Sequence, residues 1–229
     1  TFDLFKRVLH SMPRGKAVGQ SGFSVELLVL FEKGGSAQRA FFDALMADLK
    51  LRRIASTWRI VIYALLVKPP PNRKELVCER REIAIMEQDM KLVLQMGKRA
   101  AYSKGAGRVL PVNCGWTKDA STGDASMQAA AAIQQSVALG RSIWLLFVDL
   151  KQFFSMVNRE VLTMQELMYG LPPDVIELTH AIYATYEGGV ECRFDSSEGL
   201  GGAFRNDTGT LMGCVLSPDK AKVFMDSII

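Results

Sequence analysis

One carboxylate in the sequence stands out because it follows a run of apolar residues. Asp149 comes directly after residues 143–148, IWLLFV, a run that is typical of a buried strand. A carboxylate at the end of a buried strand loses hydration, and a neighbouring cation would offset that cost. A divalent metal ion would fit, because hard cations bind carboxylate and carbonyl oxygens. The alternative is an aspartate that only caps the strand end or the turn after it.

A cluster of positive charge surrounds a predicted hairpin. Residues 58–67 are apolar and β-branched, which favours a buried strand, and the three prolines at 69–71 require a turn. A second strand over residues 76–80 can pair back, so that Lys68 and Arg81 flank the turn. These cations could bind phosphate groups, with arginine offering two parallel donors. The alternative is a hairpin tip whose charges are only solvated.

Two glycines and a Ser-Pro pair form the third pattern. Gly209 and Gly213 precede Ser217 and Pro218, which predict the start of a helix with serine as its N-cap. Glycine lets a backbone approach a ligand closely, and a helix N-terminus favours a phosphate. A plain loop before a helix explains the same residues without a ligand.

Periodicity and capping residues predict the elements that would position these groups. Ser24 and Ser36 are predicted N-caps. The residues from 142 to 150 are predicted to form a strand, and residues 190–194 and 203–207 to form a hairpin. The predicted helices cover residues 2–11, 24–31, 36–51, 83–99, 124–139, 157–169 and 173–186, and a last helix begins at 217.

Composition is that of a globular protein with a substantial core. The chain has 229 residues, 48% of them hydrophobic, and a net charge of +4 that is compatible with nucleic-acid binding. Its four cysteines lack zinc-like spacing, which favours reduced thiols in an intracellular protein. No apolar run reaches the roughly 20 residues of a membrane span, and the first residues do not resemble a secretory signal.

Five segments match motifs that occur together, and in this order, in one protein family. KAVGQSGFSVEL at 16–27 is similar to K-A-P-G-P-D-G-x-x-x-E, and residues 58–68 with REIAI at 81–85 are similar to W…K…R-P-I-S-L. GW at 115–116 with STGDA at 121–125 is similar to G-F-R…S-T-x-D-A. VDLKQFF at 148–154 is similar to D-L-x-x-A-F-D, and GTLMGCVLSP at 209–218 is similar to G-V-x-Q-G-x-x-L-S-P. The five segments thus resemble the motifs of reverse transcriptases of the non-LTR (long interspersed element) type. One such match carries little weight, whereas five in the family's order carry much more.

The resemblance implies a role for each matched residue. Asp149 would be a catalytic and metal-binding residue, with the Leu150 carbonyl as a further metal ligand. Phe154 would lie against the sugar of the incoming nucleotide. The other matched residues would bind the nucleotide (Lys68, Arg81 and Gly213) or the template and primer (Lys16, Ser217 and Pro218). The implied reaction is nucleotidyl transfer with two Mg²⁺ or Mn²⁺ ions, using an RNA template, a DNA primer and deoxynucleoside triphosphates.

Several residues depart from the family's pattern. Phe153 replaces a small residue, Ser155 an aspartate, Glu82 a proline and Met212 a glutamine. The Asp-Asp strand pair that supplies the family's other two carboxylates is missing from the sequence, as is the thumb. We therefore expect a fragment that is inactive by itself and has an open sheet edge beside residues 142–150.

The expected fold is α/β, a fingers–palm polymerase fold that stops before the Asp-Asp strand pair. Residues 1–141 would form the fingers, with the basic hairpin near 58–82 and the helix near 124–139, and residues 142–229 would form part of the palm. The second functional hypothesis is a decayed or repurposed module that only binds nucleic acid. The third is an unrelated α/β protein with chance matches. The resemblance implies an intracellular location, nuclear for a eukaryotic retroelement, and leaves the oligomeric state open.

Overall fold

The computed structural model describes residues 1–31, 35–67, 80–103, 107–110, 113–196 and 199–228. Within them the chain is mixed α/β, which agrees with the predicted fold class at that level. The helices are α1 (Phe2–Ser11), α2 (Val25–Leu30), α3 (Ser36–Lys50), α4 (Gln88–Tyr102), α5 (Thr122–Ala138), α6 (Phe153–Met156), α7 (Arg159–Met168), α8 (Pro173–Ile182) and α9 (Ser217–Asp226). None of the helices in this part of the chain is long and apolar enough to cross a membrane.

One mixed sheet lies at the centre of the described structure. Its strands follow the order β2-β1-β3-β4, and β5 pairs with β3. The pairing of β1 with β2 is antiparallel, whereas the pairing of β1 with β3 is parallel. The sheet therefore joins strands from both sides of residue 141, and the two-domain division stays a prediction. The strands are β1 (Ile60–Val67), β2 (Arg80–Ile85), β3 (Val190–Ser196), β4 (Gly199–Leu200) and β5 (Phe204–Asn206).

The predicted antiparallel pairing of the two strands is confirmed, but the second strand lies further along the chain than predicted. β2 runs from Arg80 to Ile85 instead of over residues 76–80, and α4 begins at Gln88 instead of at residue 83. Strand pairing decides this boundary, because residues 62–67 of β1 pair with all six residues of β2, from Arg80 to Ile85. The predicted hairpin tip, including Lys68, lies outside the described residues.

Two hydrophobic clusters hold these elements together. One packs the sheet against α4, α8 and the loop before α9, with Trp58, Val61 and Ile182 among its buried residues. The other joins the first three helices to α4 around Phe5 and Leu28. The apolar spacing in α1 is confirmed, because the buried residues of that helix lie on one face.

The serine caps are only partly as predicted. Ser24 is an N-cap, and its hydroxyl accepts a hydrogen bond from the Leu27 amide at 3.4 Å. Ser36 is the first residue of α3 and not its cap. Ser217 is likewise the first residue of α9, and its buried hydroxyl donates to the Leu211 carbonyl at 2.8 Å. This bond ties the helix to the preceding loop, which explains why the serine does not cap.

The predicted strand over residues 142–150 is wrong. This segment is irregular and exposed, and the Trp144 side chain is 94% accessible to solvent. The physical reason is that a strand needs a partner, and the described residues provide none at this segment. The preceding helix α5 forms as predicted, with a capping box between Ser121 and Asp124, but it has no buried residue.

Candidate functional site

The glycine-rich loop over residues 209–216 packs directly on β2. The Ala84 amide donates a hydrogen bond to the Met212 carbonyl at 2.6 Å. Gly213 has a φ of +116°, and a Cβ at this position would lie 2.5 Å from the Ala84 carbonyl oxygen. Glycine is required here because an L side chain would be strained and would collide with the strand. The predicted close approach is real, but the neighbour that the structure describes is protein backbone.

The other end of this loop packs on the segment that contains Phe154. The Thr210 amide donates to the Phe154 carbonyl at 2.5 Å, and the Gly209 amide donates to the Val157 carbonyl at 3.0 Å. A Cβ on Gly209 would collide with the carbonyl groups of Phe154 and Ser155. Both glycines therefore allow close backbone packing, one at each end of the loop.

A buried arginine fixes the turn before the loop. Arg159, at the start of α7, donates from Nε to the Gly209 carbonyl at 2.8 Å and from Nη2 to the Thr208 carbonyl at 3.1 Å. Its guanidinium also lies 5.4 Å from the centre of the Tyr183 ring. Burial lowers the pKa of Arg159. Sequence reasoning missed this residue, because an arginine in a first helical turn gives no sign of the carbonyls that it will meet.

Aromatic rings surround Phe154. Its ring meets the Trp116 ring edge-on, with centroids 5.7 Å apart, and the Phe153 ring at 5.5 Å. Phe153 also packs edge-on against Phe224 of α9 at 5.6 Å. The departure at Phe153 thus has a structural explanation, since the larger ring joins the Phe154 segment to α9.

The segment that contains Lys16 is fixed to the start of α4, just after β2. The Glu87 carboxylate accepts hydrogen bonds from the Ser21 amide at 2.8 Å and from the Ser21 hydroxyl at 2.5 Å. Gln88 donates to the Ala17 carbonyl at 2.6 Å. Glu87 is only 1% exposed, whereas Lys16 is exposed and free to meet a ligand. The sequence did not single out Glu87, which lies just beyond the matched REIAI segment.

Two buried polar groups hold α9, the helix that begins with Ser217 and Pro218. Lys220 forms an ion pair with Glu166 of α7, and both side chains are buried. Near the other end of the helix, Asp226 accepts hydrogen bonds from the Leu110 amide at 3.0 Å and from the Asn113 side chain at 3.2 Å. These bonds attach the residues before Trp116 to the same helix.

A small cavity of about 10 Å³ lies between α7 and α8, close to the Glu166–Lys220 pair. This volume is about that of one water molecule. His180 lies at its edge, and its Nε2 is 2.9 Å from the Thr163 hydroxyl. Burial lowers the pKa of His180, and the neighbouring charge of Lys220 lowers it further. The cavity is too small for a nucleotide, so we assign it to packing and not to the candidate site.

The predicted catalytic and metal-binding residues are not assembled. Asp149 and Leu150 lie in the exposed segment, so the argument that Asp149 ends a buried strand fails. Arg81 lies exposed on β2, opposite Leu66 in the strand register. Within the described ranges no group of three or more His, Cys, Asp or Glu side chains could hold a metal ion. The two-ion site that the resemblance implies therefore stays a prediction.

No protein-family model matches the chain, and no curated protein is significantly similar to it.

Proposed function

We propose that this chain is the fingers and the first part of the palm of a reverse transcriptase, an RNA-directed DNA polymerase of the non-LTR type. The substrates would be deoxynucleoside triphosphates on an RNA template with a DNA primer. The intact enzyme would perform metal-dependent nucleotidyl transfer. In that enzyme Asp149 would be one of the three carboxylates that hold the metal ions.

The observation that carries the proposal is the contact between segments that match different family motifs. Gly213 packs on the strand that contains Arg81, the Phe154 carbonyl accepts a bond from the Gly209–Pro218 segment, and the Trp116 ring meets Phe154. The Lys16 segment is bonded to the residues that follow β2. These segments are far apart in the sequence. A functional nucleotide site would need them together, whereas chance matches give no reason for them to meet.

A primer-extension assay tests the catalytic part. We expect no Mg²⁺-dependent extension of a DNA primer on an RNA template by the 229-residue chain, because Asp149 is the only one of the family's three metal-binding carboxylates that the sequence matches. Extension that Asp149→Asn abolishes would overturn this expectation. The reading frame after Ile229 provides the complementary test. If it encodes an Asp-Asp strand pair, a chain extended to include it should extend primers, and Asp149→Asn in that chain should abolish the activity.

The second candidate function is nucleic-acid binding without catalysis. Two observations favour it, the exposure of Asp149 and the lack of a carboxylate cluster among the described residues. It predicts that the reading frame after Ile229 lacks an Asp-Asp pair, and that an extended chain binds RNA without extending primers.

Binding to an RNA–DNA hybrid, measured by fluorescence anisotropy between 50 and 200 mM salt, tests the part that both functions share. Affinity should fall steeply with salt, because phosphate contacts release counterions. Arg81→Ala should reduce the slope of log affinity against log salt by about 1. Lys50→Ala removes an exposed cation from α3 and should leave the slope unchanged. Salt-independent binding, or equal effects of both variants, would argue against a nucleotide-binding role for the β2 surface.

A further inference from the structure

Residues 141–150 form an exposed segment that contains several large apolar side chains in a row. Trp144, Leu146 and Phe147 are 94%, 88% and 86% exposed, and Val148 is 71% exposed. Single exposed apolar residues are ordinary on protein surfaces, but consecutive ones mark an interaction site. This surface is therefore expected to be covered by another protein segment.

The backbone of this segment is also available for pairing. Within the described part of the chain, residues 142–150 make no backbone hydrogen bonds. The segment lies between two residues with left-handed backbones, Gly140 at φ +60° and Gln152 at φ +52°, which separate it from α5 and α6. Its residues have high β propensity and no charge between Arg141 and Asp149. Such a segment is suited to add to another strand.

The charges at its two ends identify the partner. Arg141 and Asp149 lie four residues on either side of Leu145. In an antiparallel pair of two identical segments centred on Leu145, Arg141 of each copy lies opposite Asp149 of the other. A parallel pair in register would instead place like charges beside each other, which is unfavourable. The sequence is thus complementary to itself in one direction and one register.

We propose that two copies of this chain associate through residues 141–149, which pair as antiparallel strands around Leu145. Trp144 of one copy then lies opposite Leu146 of the second, and Ile143 lies opposite Phe147. The two-fold axis makes each contact occur twice, as a closed two-fold interface requires. This proposal rests on the exposure and charge of the segment in the 229-residue chain. It excludes a simultaneous catalytic role of Asp149, which here lies opposite Arg141 of the second copy.

Disulfide cross-linking tests the register. In a background with Cys78 and Cys114 replaced by serine, Leu145→Cys should form a cross-linked dimer on mild oxidation. Directly opposed Cα atoms lie about 4.5–5.5 Å apart, within the range of a disulfide. Ile143→Cys is the matched control, because its two copies would be four residues out of register and about 13 Å apart. Equal cross-linking of both variants would indicate non-specific aggregation and overturn the proposal.

Charge reversal provides a second, independent measurement. By sedimentation equilibrium, Arg141→Asp and Asp149→Arg should each weaken dimerisation, on the order of ten-fold, because each places like charges opposite each other twice. The double variant restores opposite charges and should recover the dissociation constant of the original chain. A double variant that stays as weak as the single variants, or a chain that is monomeric at 100 μM, would refute the pairing.

Discussion

Replacing Lys220 with methionine is expected to destabilise the protein strongly, because the change leaves the Glu166 carboxylate buried without its partner. The Glu166 side chain is 2% exposed and the Lys220 side chain 6% exposed. Within the described residues, Lys220 is the side chain that hydrogen-bonds this carboxylate. Methionine has a similar length, so the change removes the charge and leaves little new cavity.

The expected magnitude follows from this burial. Removing one partner of a buried ion pair costs about 3–5 kcal/mol of the free energy of unfolding. For a chain of this size each kcal/mol corresponds to about 2–4 °C in Tm. The loss would be a large part of the roughly 5–15 kcal/mol that stabilises a typical protein. Urea unfolding followed by circular dichroism measures it directly.

The double variant with Glu166→Leu as well as Lys220→Met is the control. Replacing both partners by apolar residues is often neutral, so its unfolding free energy should lie within about 1 kcal/mol of that of the original chain. The reasoning is refuted if Lys220→Met alone costs less than about 1 kcal/mol. It is equally refuted if the double variant is no more stable than the single one, since an unpaired carboxylate would then not be the cause.

Two further predictions concern the glycine loop and the cavity. Gly213→Ala should lower the free energy of unfolding, measured by urea titration, by about 2–4 kcal/mol, because it strains the backbone and breaks the hydrogen bond to β2. Gly202→Ala is the control: a Cβ there meets no atom within 4 Å, so the change should be less than about 0.5 kcal/mol. Because the pKa of His180 is lowered in the folded protein, the unfolded chain binds the proton more readily, and stability should be lost as the pH falls below about 6.5. His180→Gln should reduce the loss of Tm between pH 7.5 and 5.5. Parallel curves for the variant and the original chain would contradict the assignment.

Local patterns predicted most helices and the two hairpins, because periodicity and turn residues act within a few positions. They misplaced boundaries where tertiary pairing decides, as at β2, where pairing with β1 holds residues 83–85 in a strand. They also failed at Ser217, whose hydroxyl bonds a distant carbonyl instead of capping its helix.

The candidate site divides in the same way. The sequence singled out Gly209 and Gly213 for a close approach of the backbone to a ligand, whereas the structure shows both glycines packed on protein backbone, where a Cβ would collide. The sequence could not indicate that protein backbone would be the neighbour. It also missed Arg159 and Glu87, whose partners are brought to them only by the fold.

By itself the sequence determined most helix-forming segments, the pairing of β1 with β2 and the order of the five matched segments. The helices and the pairing follow from residues that are close together in the chain. Only the tertiary structure decided that four of these matched segments contact one another. It also decided that residues 142–150, which include Asp149, do not join the sheet. The physical reason is that a strand is stable only when its backbone groups find a partner, and partners are a property of the fold. The same apolar residues that predicted a buried strand therefore form an exposed surface.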